Sequence, residues 1–212
     1  ELLAPAGSLE VIYPAVRMGA NAVYLGADIF SARGNAGNFN REQLLEAVKY
    51  CHARNVAVHL ACNTLIHDDE MESALNLIKY ACEIGIDAII IQDIVLVSLI
   101  RKAAPNMTLH ASTQMSVHTA EAAKMLYDMG FERVVLAREL SKTEIKEIAD
   151  KLKSMNCPIE LEVFVHGALC MSVSGQCYMS AMLGGRSGNR GLCAQPCRLP
   201  FNAGGNGHDL IL

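Results

Sequence analysis

A single theme repeats along most of this chain: a short apolar run, a turn, then an amphipathic stretch with helical spacing. ELLAPAG leads into SLEVIYPAVRMG, where Ser8 is placed to cap a helix and Gly19 to stop it. NAVYLGA leads, through a Gly/Asn-rich loop, into NREQLLEAVKYCHARN. VAVHLACN precedes DDEMESALNLIKYACEIG, whose first turn is acidic as the helix dipole prefers. DAIIIQ precedes DIVLVSLIRKAAP, MTLHASTQ precedes TAEAAKMLYDMG, and RVVLAREL precedes SKTEIKEIADKLKSM, where Ser141 and Glu144 fit a capping box. PIELEVFVHG reads as a seventh strand and HDLIL as a candidate eighth.

Strands alternating with helices of this length pair in parallel through right-handed crossovers. So many units predict a (β/α)8 TIM-type barrel lacking its last helix, rather than an open doubly wound sheet. No Gly-rich dinucleotide fingerprint follows the first strand. The 212 residues then form one barrel domain, 1–212, and a further C-terminal domain outside this sequence is a possibility the truncated barrel raises. With 51% apolar residues, 5% aromatics and no tryptophan, the composition suits a helix-rich α/β protein better than a β-sandwich. The net charge of −4 argues against a strongly basic nucleic-acid domain and leaves room for a local basic patch. The longest apolar stretch, AIIIQDIVLVSLI, is broken by Gln92 and Asp93, so no membrane span is expected. No secretory leader is visible, although the sequence opens at Glu1 without a methionine. A cytoplasmic location is the expectation.

Strand alternation assigns side chains to the barrel interior. Ala57, His59, Ala61 and Asn63 point inward, as do His110, Ser112 and Gln114, and then Glu160, Glu162, Phe164 and His166. Histidines and carboxylates thus stand where many barrels carry Val and Ile. Buried ionisable groups are costly unless paired, so the set reads either as an internal ion-pair network or as a functional site. The strand C-terminal ends, where barrel enzymes act, carry Arg33, Asn63, Gln92, Gln114, Arg138, Glu139 and His166.

The loop leaving strand seven at that face, residues 166–198, holds four of the eight cysteines, Cys170, Cys177, Cys193 and Cys197, spaced C-x6-C-x15-C-x3-C. Cys51 and Cys82 lie on apolar helical faces and read as small buried hydrophobes, and Cys62 and Cys157 receive no role. A chain with this much core needs no disulfide staples, so four grouped thiols point to a metal. Zinc favours close pairs, which only Cys193 and Cys197 supply, while an iron–sulfur cluster needs four thiolates at its corners, so spacing leaves both open.

ELEVFVHGALCMSVSGQCYMS resembles the signature of the collagenase-like peptidases, long filed as peptidases of unknown catalytic type. The pattern E-x-F-x-x-G-[SA]-L-C-x4-G-x-C-x-x-S is met by Glu162, Phe164, Gly167, Ala168, Leu169, Cys170, Gly175, Cys177 and Ser180. NRGLCAQPCR, LLAPAGSLE, SARGNAGNF, HASTQMSVHT and LARELS are also similar to that family, so the resemblance covers essentially the whole chain.

The resemblance implies two kinds of activity. Some members are associated with metal-dependent degradation of collagen. Others hydroxylate a tRNA uridine, a ribosomal RNA cytidine or a ubiquinone precursor without oxygen, with prephenate implicated as hydroxyl source. Those carry a [4Fe-4S] cluster, which here implies Cys170, Cys177, Cys193 and Cys197 as ligands, zinc being the alternative. No H-E-x-x-H helix or G-x-S-x-G elbow is present to support a peptidase. A hydrolytic metal would have to use the inward His59, His110, Glu162 and His166.

The hydroxylase reading is therefore preferred, with RNA and prephenate as partners. The alternatives are a metal-dependent peptidase acting on peptide or collagen and a non-enzymatic protein clipped by a metal. Catalytic candidates are His59, His110, Arg138, Glu162 and His166. Substrate-binding candidates are Arg33, Asn63, Gln114, Arg186 and Arg190.

Overall fold

The structure, a computed structural model, describes residues 1–32, 37–167, 169–202 and 209–210; Arg33 and Ala168 lie outside them. Seven parallel strands pair in strict chain order. They are β1 (Leu3–Pro5), β2 (Ala22–Gly26), β3 (Ala57–Cys62), β4 (Ala88–Ile91), β5 (Thr108–Ala111), β6 (Arg133–Val135) and β7 (Glu160–Glu162). Helices α1 (Leu9–Arg17), α2 (Arg41–His52), α3 (Met71–Ile84), α4 (Ile94–Ala103), α5 (Ala120–Asp128) and α6 (Lys142–Ser154) alternate with them. Sequential parallel order with one helix per crossover is the TIM-type arrangement. Arg133 of β6 reaches the Glu1 carboxylate ahead of β1 at 2.6 Å, so the sheet curls until its two ends approach.

The Ser141–Glu144 capping box read from the sequence is present, and the structure adds other caps. Asn40 and Gln43 form a reciprocal capping box on α2, and Ser141 and Glu144 form another on α6. Asp93 caps α4 through the Val95 N–H. Ser8 precedes α1 with extended backbone but makes no side-chain cap bond, its hydroxyl donating instead to Glu10.

Strand parity separates two interiors. Val56, Val58, Leu60 and Cys62 join the main core against the helices, with Ile89, Ile91, Leu109, Val134 and Leu161. Ala61, Ile90 and Val135 face the other way, into the barrel. Cys51 and Cys62 are fully buried, and desolvation pushes their thiols up to about 11 and about 12, as inert core cysteines require.

The eighth strand departs from expectation. Asp209–Leu210 (β9) pairs antiparallel with Phe201–Asn202 (β8), so it forms a separate small hairpin rather than bridging β7 and β1. The barrel is therefore a curled seven-stranded sheet. The seventh strand is also shorter than the apolar run suggested: ladder pairing stops at Glu162, and Val163 to His166 are exposed.

Candidate functional site

A cavity of about 520 Å³ opens at the C-terminal ends of the strands. Its floor is Ala61, Ile90 and Val135; its wall carries Asn63, Ser112, Gln114, Arg138, Glu162 and Phe164. Its rim is the cysteine-rich segment, and Cys170, Cys177, Cys193 and Cys197 all line it. Barrel enzymes place their chemistry at this face.

The cysteine segment is fastened at three places. Between Cys170 and Cys177 the backbone turns through Ser174, which is fully buried at φ 24°. Ser174 donates its N–H to Glu139 Oε1 at 2.8 Å and its hydroxyl to Glu139 Oε2 at 2.7 Å. Its hydroxyl also accepts the Arg138 N–H, and its carbonyl accepts the Ser116 hydroxyl. Burial acts to raise the Glu139 carboxyl, but the two Ser174 bonds, its own backbone N–H and the Arg138 charge together hold the group below the ordinary value. Farther on, Ser180, at the start of α7 (Met179–Gly184), accepts the Ala194 N–H and joins the two cysteine pairs. Finally, Arg190 forks onto Glu70 at 2.6 and 2.8 Å and onto the Leu65 carbonyl, holding the segment to the loop after β3. The Arg190 guanidinium lowers Glu70 to about 2.

Among the described residues, these four cysteines form no disulfide. Cys177 Sγ accepts the Met179 N–H at 3.4 Å and Cys193 Sγ accepts the Gln195 N–H at 3.3 Å. Such N–H donors are what tunes sulfur ligands in metal centres. Gly188 packs against Cys193, where a Cβ would come within 3.6 Å of the cysteine Cβ. Among the described residues no three His, Cys, Asp or Glu side chains stand close enough together to hold a metal ion. Four thiol side chains lining one cavity are a donor set that a multi-iron group, which takes each thiolate on a different iron, can use.

Asn63 is fixed by accepting the Ala32 N–H at 2.9 Å, and Gln114 donates its carboxamide N–H to the Asn63 carbonyl at 3.2 Å. Arg138 Nε, Gln114 Oε1 and, at the end of β4, Gln92 Oε1 are buried without a hydrogen-bond partner.

The remaining sequence candidates fall elsewhere. His59 and His110 are buried and in edge contact, ring centroids 4.8 Å apart. They line a second cavity, with Asp87, Glu132, Arg133 and Glu160, at the strands' N-terminal ends. Desolvation lowers both, His110 to about 3, so both rings are neutral. Arg133 pairs with Glu1, Glu160 and Glu162. Burial nonetheless raises the Glu162 carboxyl, with Arg133 opposing. His166 is exposed beyond β7 and lines neither cavity. The donor set that a hydrolytic metal would need is thus divided between two ends of the barrel and its outer surface. Arg190 is committed to Glu70, and Arg186 donates to the Leu192 carbonyl at 3.0 Å. Ser174 had no signal in the sequence that set it apart from Ser172 in the same loop.

The profile of Peptidase family U32 matches residues 7–209. This chain belongs to that family. Among U32 relatives it is 43% identical over 201 residues to the 23S rRNA 5-hydroxycytidine C2501 synthase of Escherichia coli, covering 95% of this chain and 29% of that protein. It is 37% identical to tRNA hydroxylation protein P1 of Bacillus subtilis, covering 95% and 47%. It is 36% identical to a protein named collagenase from Porphyromonas gingivalis, covering 93% and 49%. The chain spans about half or less of the length of these relatives. A solved U32 peptidase superposes with a TM-score of 0.62 at 14% identity, covering 77% of this chain and 66% of that one, a likeness of fold. Among the described residues, no helix of this U32 protein is long and apolar enough to cross a membrane.

Proposed function

We propose that this chain is the cluster-bearing barrel of a cytoplasmic enzyme that hydroxylates a base in RNA without molecular oxygen. The observation that carries the reading is that Cys170, Cys177, Cys193 and Cys197 all line one cavity at the catalytic end of the barrel. Relatives named for rRNA and tRNA hydroxylation support the substrate class.

The four cysteines would hold a [4Fe-4S] group, which supplies one-electron redox chemistry at the barrel mouth when bound. The chain's own residues do the rest. Ser174 and Arg190 hold the cysteine segment over the cavity, and its apolar floor of Ala61, Ile90 and Val135 keeps the reacting ring out of bulk water. Asn63 and Gln114, locked to each other, present fixed polar edges to that ring. Arg138 is a cation on the cavity wall and suits a dicarboxylic hydroxyl donor such as prephenate.

The test is nucleoside mass spectrometry on RNA from cells lacking the gene. The reading expects loss of one nucleoside heavier than its parent by an oxygen atom. The full-length gene restores it, and Cys177→Ser does not. An unchanged nucleoside profile contradicts it.

A further inference from the structure

We infer that the face surrounding the barrel mouth is a docking surface for single-stranded RNA, with Phe164 and Tyr178 stacking on its bases. This rests on the reading of RNA as substrate and adds where the strand lies and what grips it. Between residues 163 and 208 the sequence has no Asp or Glu, in a chain whose net charge is −4. All the acids but Asp209 are therefore carried by the preceding barrel. A polyanion crossing the cysteine segment meets no carboxylate from that segment.

The same segment exposes apolar side chains densely. Phe164 is 49% exposed, Tyr178 64%, Leu169 71% and Met182 84%. Large apolar side chains left exposed at this density mark an interaction site. What selects RNA over an apolar protein partner is the combination of features. Arg186 and Arg198 lie exposed on the same segment, and each is steadied by a bond to a backbone carbonyl, of Leu192 and Leu169 respectively. Arg190 adds no net charge, because Glu70 neutralises it. Aromatic rings and arginines together on a segment without acidic residues are the pattern of sequence-tolerant single-strand binding. Position agrees with it. Phe164 lines the cavity, and Tyr178 directly follows Cys177, which also lines it. A strand stacked on these rings has its unstacked base over the opening, as an enzyme acting on a base requires.

The experiment is fluorescence anisotropy with the full chain purified anaerobically, a short labelled single-stranded RNA, and the same RNA as a duplex, over a range of salt. Wild type is expected to bind the single strand more tightly than the duplex. Phe164→Ala and Tyr178→Ala each lose roughly fivefold or more. The double variant Arg186→Glu/Arg198→Glu shows a weaker salt dependence. Lys102→Glu, at the end of α4, leaves binding unchanged.

Ultraviolet crosslinking of wild type, mapped by peptide mass spectrometry, reads the same surface without any substitution and is expected to mark the peptides carrying Phe164 and Tyr178. Equal RNA binding by all variants, with crosslinks elsewhere, overturns this face while RNA remains the substrate. No RNA binding even at low salt removes the RNA reading itself. A concentration-dependent dimer abolished by Tyr178→Ala, with RNA affinity unaltered, gives the face to a second copy and also overturns the inference.

Discussion

Glu139 grips Ser174 with both carboxylate oxygens, at 2.8 Å to its N–H and 2.7 Å to its hydroxyl, and so fixes the midpoint of the loop between Cys170 and Cys177. The serine is buried in a backbone conformation that L-residues seldom adopt. Glu139→Ala leaves a buried N–H and hydroxyl unmatched, a cost of about 1–3 kcal/mol. We expect a lower melting temperature and faster loss of bound iron to a chelator, with Glu139→Gln intermediate. Bound iron that resists chelation equally in wild type and Glu139→Ala would contradict this. The pH sign follows from the depressed carboxyl: the clasp is intact above the ordinary carboxylate range and weakens as pH falls through and below it.

Gly175 follows directly, at φ +92°, with its missing Cβ 3.2 Å from Gln114 Cγ. Gly175→Ala adds left-handed strain of about 1–2 kcal/mol and presses on the side chain that braces Asn63. Loss of thermal stability together with weaker RNA binding is expected. A variant indistinguishable from wild type in both measurements would show that the loop tolerates the shift.

Arg190 and Glu70 make the other long-range clasp, joining residues 120 apart in sequence. Arg190→Lys cannot reproduce the fork and is expected to behave like Arg190→Ala. Limited proteolysis reads this, with both variants cut faster within 186–198. The substitution should scarcely change global stability, since a partly exposed pair contributes about 1 kcal/mol or less.

His59 and His110 give the chain an acid limit. Their folded values are depressed by burial, so each binds a proton more readily when unfolded. Their contribution is complete above the ordinary histidine value of about 6.5 and is lost as pH falls below it toward about 3, the lowered value of His110. Melting temperature should drop between pH 6 and pH 4 in wild type, and less steeply in His110→Leu. Equal slopes in the two proteins would remove the assignment.

Much of this was legible in the residues, for physical reasons. Period-two alternation in VAVHLACN and MTLHASTQ correctly sorted which side chains face the helices and which the interior. Parity, however, gives a side and not a height. His59 and Asn63 share a face, yet one lies at the strands' N-terminal ends and the other at the mouth. The eighth strand was misplaced because HDLIL carries apolar character without its partner, and its pairing with Phe201–Asn202 is fixed by a hairpin. Arg190 looked like a ligand-binding cation because nothing in its surroundings announces Glu70. The cysteines were visible because four thiols with no structural need for disulfides are unusual in a chain with this much core.

The central claim is that four cysteines at one cavity hold an iron–sulfur group. Anaerobic purification, with iron, sulfide and zinc analysis and a visible spectrum, tests it most directly when repeated on Cys170→Ala and Cys177→Ser. The account predicts a brown protein with about four irons and matching sulfide per chain, both lost in the variants. A colourless protein carrying stoichiometric zinc, or no metal after anaerobic reconstitution, would contradict it.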